Sequence, residues 1–376
     1  MMPGAYWKTI VDTSETAYAP AIFQVRQEEW AELKDLCNKE RIAVLDTIQR
    51  QLKEWAQINL PHTTDTKEHT EFIAQEIAAS NGFLPAYGNW IYYPWHRTVV
   101  HLLPKDLFFA VRTNRNREKI TIEEQIELRA KRIGVAGLSV GHASALVLVQ
   151  EALCGEIRIA DFDDIDLSNL NRLRTSLVNL GVPKAVLTAR EIAEIDPYVT
   201  IKIFPEGVTE DNIDHFFFEG GALDLVVEEI DSFHMKIKIR EIAKAHGIPV
   251  VMDTNDRGLL DIERFDKEPG RPLLHGLLAG YTYESIKAAR PEDRIAILCA
   301  FLGGEDKASP ELRHSLKKIN TELVSYPQLS SDIHLGAALN AHAARRVLLG
   351  KLHRSGRYYV DLEHLINDKS DTVNKS

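Results

Sequence analysis

The stretch Ala160-Asp161-Phe162-Asp163-Asp164-Ile165-Asp166-Leu167-Ser168-Asn169-Leu170-Asn171-Arg172 decides the fold of this 376-residue chain. It begins where a predicted buried strand, Glu156-Ile157-Arg158-Ile159-Ala160, ends. Upstream, Arg132-Ile133-Gly134-Val135-Ala136 reads as a strand running into Gly137, and Asp161 follows Gly137 by 24 residues. An acid at the tip of the second strand of a βαβ unit, about 20 residues past a glycine turn, is placed to bind ribose hydroxyls. Ser168, Asn169, Asn171 and Arg172 then form a polar, cationic segment where a nucleotide's phosphates belong. Lys184 follows Gly181-Val182-Pro183, and Asp231 ends the run Leu223 to Ile230. One ribose acid, two cations and one carboxylate able to hold Mg²⁺ suit ATP used for chemistry better than NAD used for hydride transfer.

Strands and helices alternate outward from this core. Strand 132–136 leads to helix 141–153, strand 156–161 to helix 184–195, and strand 200–204 to a short helix at 209–217. Strand 223–230, helix 233–246 and strand 248–253 continue the series. Such alternation predicts an α/β fold, a Rossmann-like and mostly parallel sheet with helices on both faces. After Pro272 the pattern loosens until a helix at 332–350, with Leu335, Ala338, Leu339, His342 and Val347 at helical spacing, and a last strand near Tyr358-Tyr359-Val360. The N-terminal region differs in composition: all five tryptophans fall within the first 95 residues. Apolar positions at helical spacing over 27–57, a second helix at 65–80 capped by Thr64 or Asp65, and an aromatic β-prone stretch from Trp90 to Leu103 define a small, mainly helical module over 1–104. Its aromatics read first as core, with a recognition surface as the alternative. Residues 105–376 form the second domain, with a C-terminal extension.

Composition narrows the function. A net charge of −10 argues against non-specific nucleic-acid binding, which needs a basic surface. Three dispersed cysteines, Cys37, Cys154 and Cys299, build neither a disulfide framework nor a four-cysteine zinc site. No basic leader precedes an apolar core, and no run of about 18 apolar residues occurs, so a cytoplasmic protein off the membrane is expected.

Gly137-Leu138-Ser139-Val140-Gly141-His142 occupies the phosphate turn, where glycine lets backbone amides approach phosphate at a helix N-terminus. The same residues fit Gly-x-Ser-x-Gly, a nucleophile elbow between strand and helix, for which His246 or His275 would supply the later base. That hydrolase reading leaves 161–172 and Lys184 without a purpose.

Asp161-x-Asp163 followed by Ser168-Asn169-Leu170-Asn171-Arg172 is a specific pattern, and through it the chain resembles the ThiF/MoeB family, bacterial relatives of ubiquitin-activating enzymes. The resemblance covers residues 110 to 265 well and 266 to 365 loosely. It implies an ATP-dependent adenylyltransferase that activates a carboxylate, the C-terminus of a small protein or peptide, as an acyl-adenylate with release of pyrophosphate. By the resemblance, Gly137, Ser139, Gly141, Asp161, Asp163, Asn169, Arg172 and Lys184 bind the nucleotide. Arg172, Lys184, Arg115 and Asp231 carry the chemistry, with Asp231 holding Mg²⁺. Arg115, in Arg112-x-x-Arg115, would reach the phosphates of a neighbouring subunit, which implies a homodimer. Three departures stand out: Ser139 and His142 replace family glycines, Ser232 replaces the usual asparagine after Asp231, and Lys184 comes one residue early. His142 adds bulk in the first helical turn. The paired zinc cysteines of many relatives are missing, so no structural zinc is expected. Members of one bacterial subgroup with a similar Gly-Leu-Ser-Val-Gly turn fuse this domain to a nitroreductase-like flavin domain. A chain too short to hold one leaves a separate flavoprotein as a candidate partner.

Further residues border the site. One of Glu228 and Glu229 should face inward by strand alternation and would then need a partner. Asp253-Thr254-Asn255-Asp256-Arg257-Gly258 ends a strand and could contact the acceptor carboxylate or be a plain polar turn. Cys299 sits in an apolar run and reads as a buried cysteine, a thioester or persulfide role being the alternative. His334 and His342 read as packing or surface residues. Two other functions stay open: a catalytically inactive nucleotide-binding scaffold, which Ser139, His142 and Ser232 favour, and an NAD(P)-dependent oxidoreductase, which gives Lys184 and Asp231 no shared purpose.

Overall fold

The helical period that runs from residue 27 to 57 breaks at Arg41, which takes a left-handed φ of 53°. The computed structural model describes residues 17–80, 82–290, 293–319 and 321–367. Its contacts define two units, Met1–Glu123 with Ile192–Tyr198, and Glu124–Glu191 with Val199–Ser376.

The first unit holds a four-stranded sheet in the order β1-β3-β4-β2, from β1 (Ala21–Phe23), β2 (Ala43–Asp46), β3 (Asn89–Tyr93) and β4 (Thr98–Leu102). Helices α1 (Trp30–Lys39), α2 (Ile48–Asn59), α3 (Thr66–Glu76) and α4 (Lys105–Thr113) accompany it. The single helical stretch read over 27–57 is thus two helices with a strand between them. Asp65 caps α3 by accepting the Lys67 amide hydrogen at 2.8 Å. Trp90, Tyr92 and Tyr93 are core, Trp90 fully buried, 5.1 Å from Trp30 and stacked on His101 at 4.1 Å, whereas Trp30, Trp55 and Trp95 are partly buried and Trp7 lies outside the described residues.

In the second unit α5 (Ile122–Arg129) precedes a seven-stranded sheet. Its strands are β5 (Arg132–Ala136), β6 (Glu156–Ala160), β7 (Thr200–Phe204), β8 (Leu225–Glu228), β9 (Val250–Thr254), β10 (Leu259–Glu263) and β11 (Gly356–Tyr359), in the order β11-β10-β9-β8-β5-β6-β7. The pairs from β9 to β7 are parallel, and β10 and β11 add antiparallel pairs at one edge. The sheet is mostly parallel, as the alternation of the sequence predicts. Helices α6 (Gly141–Gln150), α7 (Lys184–Ile195), α8 (Ile213–Phe218) and α9 (Phe233–Ala245) follow β5, β6, β7 and β8 in turn. A satellite core under α10 (Tyr283–Lys287), α11 (Arg294–Leu302) and α12 (Pro310–Leu316) joins Ile237 and Met252 to Leu278, Ile297 and Phe301. Helix α13 (Ser330–Leu348) packs Ile333 and Ala337 against Val140 and Ala143 of the turn and α6, and α14 (Leu362–Leu365) closes the described chain.

The chain leaves β5 for β6 and β7 on one side and returns to β8 on the other. That reversal is the switch point at whose carboxyl end open α/β sheets bind ligands. Gly137, Asp161 and Asp231 all follow strand ends there.

Candidate functional site

Gly137 turns the chain out of β5 with φ 89°, and a Cβ there would lie 2.4 Å from the Glu229 carbonyl oxygen. Only glycine combines that backbone region with that approach. A Cβ added at Gly141 would press on Val135 at 2.8 Å, so the second glycine sets α6 close on β5. The α6 N-terminus, whose first amides lack intrahelical partners, follows directly on the turn.

Asp161 ties this turn to the tip of β6. Its Oδ2 accepts the Leu138 amide hydrogen at 2.6 Å and its Oδ1 that of Asp163 at 2.9 Å. Burial raises its carboxyl above the ordinary range, while the Leu138 amide and the Lys184 ammonium oppose that rise. Lys184 opens α7 and is buried. Its Nζ donates to Asp163 Oδ2 at 2.7 Å and Ser139 Oγ at 3.0 Å, and stands 4.0 Å from Asp161 Oδ1. The sequence-predicted set Ser139, Asp161, Asp163 and Lys184 therefore converges on one ammonium.

His142 does not fill the mouth of the turn. It is buried at 1% exposure, with Nδ1 3.0 Å from Thr188 Oγ1 and Nε2 3.4 Å from Glu191, joining α6 to α7. Thr188 in turn donates to the Lys184 carbonyl at 2.7 Å.

The segment 161–172 crosses the sheet end on an apolar underside, where Ile165 and Leu173 pack on Leu187. Asn169 is buried, and its Oδ1 accepts the Asp166 amide hydrogen at 3.0 Å, so its side chain shapes the segment itself. Arg172 is held by the Ser168 carbonyl at 3.2 Å and Asn171 Oδ1 at 2.9 Å, while its buried Nε has no hydrogen-bond partner. Burial lowers its guanidinium from the ordinary range, and nearby Asp231 and Tyr326 oppose that. Asp231 is exposed just past β8 and accepts the Tyr326 phenol hydrogen at 2.9 Å. Tyr326 as a whole is 37% exposed, but shielding of its hydroxyl end first, and Asp231 second, push that phenol above its ordinary range. Arg115 is exposed in the first unit, in a short turn of helix over Asn114–Asn116.

Glu228, the last residue of β8, and Glu229 just after it are both buried, with different partners. Glu228 meets Lys236 at 3.0 Å and Arg240; burial would push it up, but these cations hold it below its ordinary value. Arg240 also pairs with Glu263. Glu229 Oε1 accepts from the Asp253 amide at 3.0 Å and from Asn340 Nδ2 at 2.8 Å. Asn340 Nδ2 also lies 2.7 Å from Asp253 Oδ1 and 3.2 Å from Ser144 Oγ. Burial raises Glu229 well above its ordinary value, helped by Asp253, and pushes Asp253 up to about 6. Sequence reasoning missed Tyr326 and Asn340, because neither stands in a motif.

In the rest of the hairpin turn 253–258 the buried Asn255 Oδ1 has no hydrogen-bond partner, while the two residues after it are tied into the structure. Asp256 accepts the Ser309 amide at 2.9 Å, and Arg257 pairs with Asp361 at 2.7 Å. Cys299 is half-buried, its thiol raised by burial and Glu305. His334 bonds the Ser330 carbonyl of its own helix at 2.7 Å, and His342 is exposed. Among the described residues no His, Cys, Asp or Glu cluster can hold a metal alone, and no helix is long and apolar enough to cross a membrane.

Residues 113–257 match the ThiF family. An uncharacterized protein of Mycobacterium tuberculosis, MT1398, is 44% identical over 78% of this chain and 42% of its own length. The tRNA threonylcarbamoyladenosine dehydratase of Bacillus subtilis is 31% identical over 35% of this chain and 51% of its own. The adenylyltransferase and sulfurtransferase UBA4 of Yarrowia lipolytica is 30% identical over 39% and 37%. The chain thus spans between about a third and a half of the length of these relatives. It carries a ThiF-family domain, and its homologues lie in the ThiF/MoeB and E1-like family.

Proposed function

We propose that the second unit binds Mg-ATP and adenylates a substrate carboxylate. The observation that carries this reading is the convergence of Ser139, Asp161 and Asp163 on the buried Lys184 ammonium, beside a glycine turn that leaves no room for a Cβ. The residues fit the nucleotide. Asp161 spends one contact per oxygen on backbone amides, and an ionised carboxylate has about four acceptor positions, so ribose hydroxyls can still be received. The unpartnered buried Nε of Arg172 is a donor awaiting an acceptor, which a phosphate oxygen supplies. Mg²⁺ commonly takes one or two carboxylates and completes its shell with phosphates and water, a shell to which Asp231 would contribute its carboxylate.

In this reading a substrate carboxylate oxygen attacks the α-phosphorus, the bond to the bridging oxygen breaks, and pyrophosphate leaves. Lys184 and Arg172 meet the charge that moves onto the departing oxygens, a task of positioning and charge neutralisation. Mg²⁺, when bound, neutralises phosphate charge further. We assign the exposed Arg115 to the phosphates of a second subunit in a homodimer, and the substrate to the C-terminus of a small protein or peptide. The UBA4 relative, named an adenylyltransferase, supports the reaction type. The dehydratase relative, named for a tRNA nucleoside, shows that homologous domains serve different substrates. The net charge of −10 favours the peptide class.

Isothermal titration tests the reading. ATP is expected to bind more tightly with Mg²⁺ than without it, and NAD or NADP far more weakly. Preferential NAD binding would overturn it.

A further inference from the structure

The carboxylate assigned to the metal is already engaged. Asp231 Oδ1 accepts the Tyr326 hydroxyl at 2.9 Å, and two residues on the Gln328 carbonyl accepts Asn171 Nδ2 at 2.9 Å. Both contacts fasten residues 321–329 to the polar end of the site, one at the proposed metal position and one beside Arg172. Little burial holds this segment. Residues 321 to 327 are all exposed, Val324 at 98%, and Leu329 is exposed at 62%. A turn closed by the Leu323 amide donating to the Lys318 carbonyl at 3.0 Å starts it, and the first residue of α13, Ser330, ends it. A segment that packs little but places a phenol on a site carboxylate is built as a latch.

We propose that residues 321–329 form a strap over the phosphate end of the site, latched by Tyr326 on Asp231, and that Mg-ATP opens it by taking Asp231 for its metal. The proposal rests on the assignment of Asp231 to Mg-ATP. The Tyr326 phenol stands against Asp231 Oδ1, where the hydrated metal and its phosphates need room, so it must be displaced, and the latch lowers apparent affinity for the metal-bound nucleotide by the fraction of protein that is open. ATP without metal makes no claim on Asp231 and is indifferent to the latch.

Tyr326→Phe separates the possibilities because it removes one hydroxyl and leaves the Glu322–Leu323 bond of the same exposed segment, a site for a glutamate-specific protease, unchanged. Titration of wild type and variant with ATP, in Mg²⁺ and in EDTA, is read beside cleavage after Glu322 by a glutamate-specific protease. The variant is expected to bind Mg-ATP about tenfold more tightly, the value of one hydrogen bond to a charged acceptor, with metal-free ATP unchanged. Mg-ATP is expected to speed cleavage of wild type, and the variant to be cut fast without nucleotide. Unchanged or weaker Mg-ATP binding by the variant overturns the strap and makes Tyr326 a positioning residue for Asp231. Slower cleavage with Mg-ATP overturns it too. If wild type binds no ATP, the adenylation reading fails, and cleavage of the two nucleotide-free proteins still decides whether the latch exists: equal rates overturn it.

Discussion

The two flanks of the site are assembled over different distances along the chain. On the turn flank, Leu138 reaches Asp161 across 23 residues, Lys184 reaches Asp163 across 21 and Ser139 across 45. On the other, Tyr326 reaches Asp231 across 95 residues, Asn340 reaches Glu229 across 111 and Ser144 across 196, and Asn171 reaches Gln328 across 157. A span about nine times longer costs roughly 2 kcal/mol more in closure entropy. The charge chemistry differs as well. The turn flank sets an ammonium among acids, whereas the far flank packs two carboxyls, Glu229 and Asp253, around one amide. The near flank is thus prepared by its own βαβ unit, and the far flank exists only once the C-terminal third has docked. We expect the first to govern chemistry and the second to govern stability and access.

The largest effect should come from removing the two cations of the site, Lys184 on the turn flank and Arg172 beside Asp231. Lys184→Ala and Arg172→Ala are each expected to cut substrate-dependent exchange of labelled pyrophosphate into ATP by about 10²–10³-fold, the usual loss when one donor to developing charge is removed. Exchange at wild-type rates in both would misplace the site. Asn340→Ala attacks the far flank. Its amide is fully buried between two carboxyls, so truncation should cost about 1–3 kcal/mol of unfolding free energy by chemical denaturation, with nucleotide affinity kept. Loss of ATP binding in a folded variant would show that the flanks are not separable.

The smallest effect is a pH slope. Burial raises Asp253 from 3.8 to about 6, and burial with the Asp253 charge raises Glu229. A raised carboxyl means that the folded chain holds protons the unfolded chain has lost. Its stabilising contribution is therefore complete below pH 3.8 and is lost as pH rises through about 6. The unfolding free energy of wild type minus that of Asp253→Asn should fall from pH 4 to 6 and level off above. A difference independent of pH would mean that the pair does not share a proton in the folded state.

The parts that sequence reading reached and those it missed divide along the same line. Helix α13 was legible as a helix, but its face was not. Of Leu335, Ala338, Leu339, His342 and Val347, which mark the apolar period, Val347 alone is buried, and Ile333, Gly336, Ala337, Asn340, Ala341, Ala343, Ala344 and Leu348 make up the rest of the buried face. The inner face is made of small residues because the helix lies close: a Cβ at Gly336 would meet Asp253 Oδ2 at 2.0 Å. Strand β10 was hidden for a related reason. Asp261 and Glu263 interrupt its apolar pattern, and they are buried because His275, Arg357 and Arg240 meet them. Those partners lie 14, 96 and 23 residues away.

By itself the sequence determined the alternation that makes the sheet, the left-handed glycine at 137 and the spacing that brings Asp161, Asp163 and Lys184 to one end of it. These follow from backbone sterics, hydrophobic period and short loops, which act between near neighbours. Only the tertiary structure decided that Glu228 meets cations while Glu229 meets a second carboxyl, that His142 turns inward, and that Tyr326 rests on Asp231. A buried or latched polar group is defined by the partner that satisfies it, and that partner is supplied by packing between segments the local sequence does not relate.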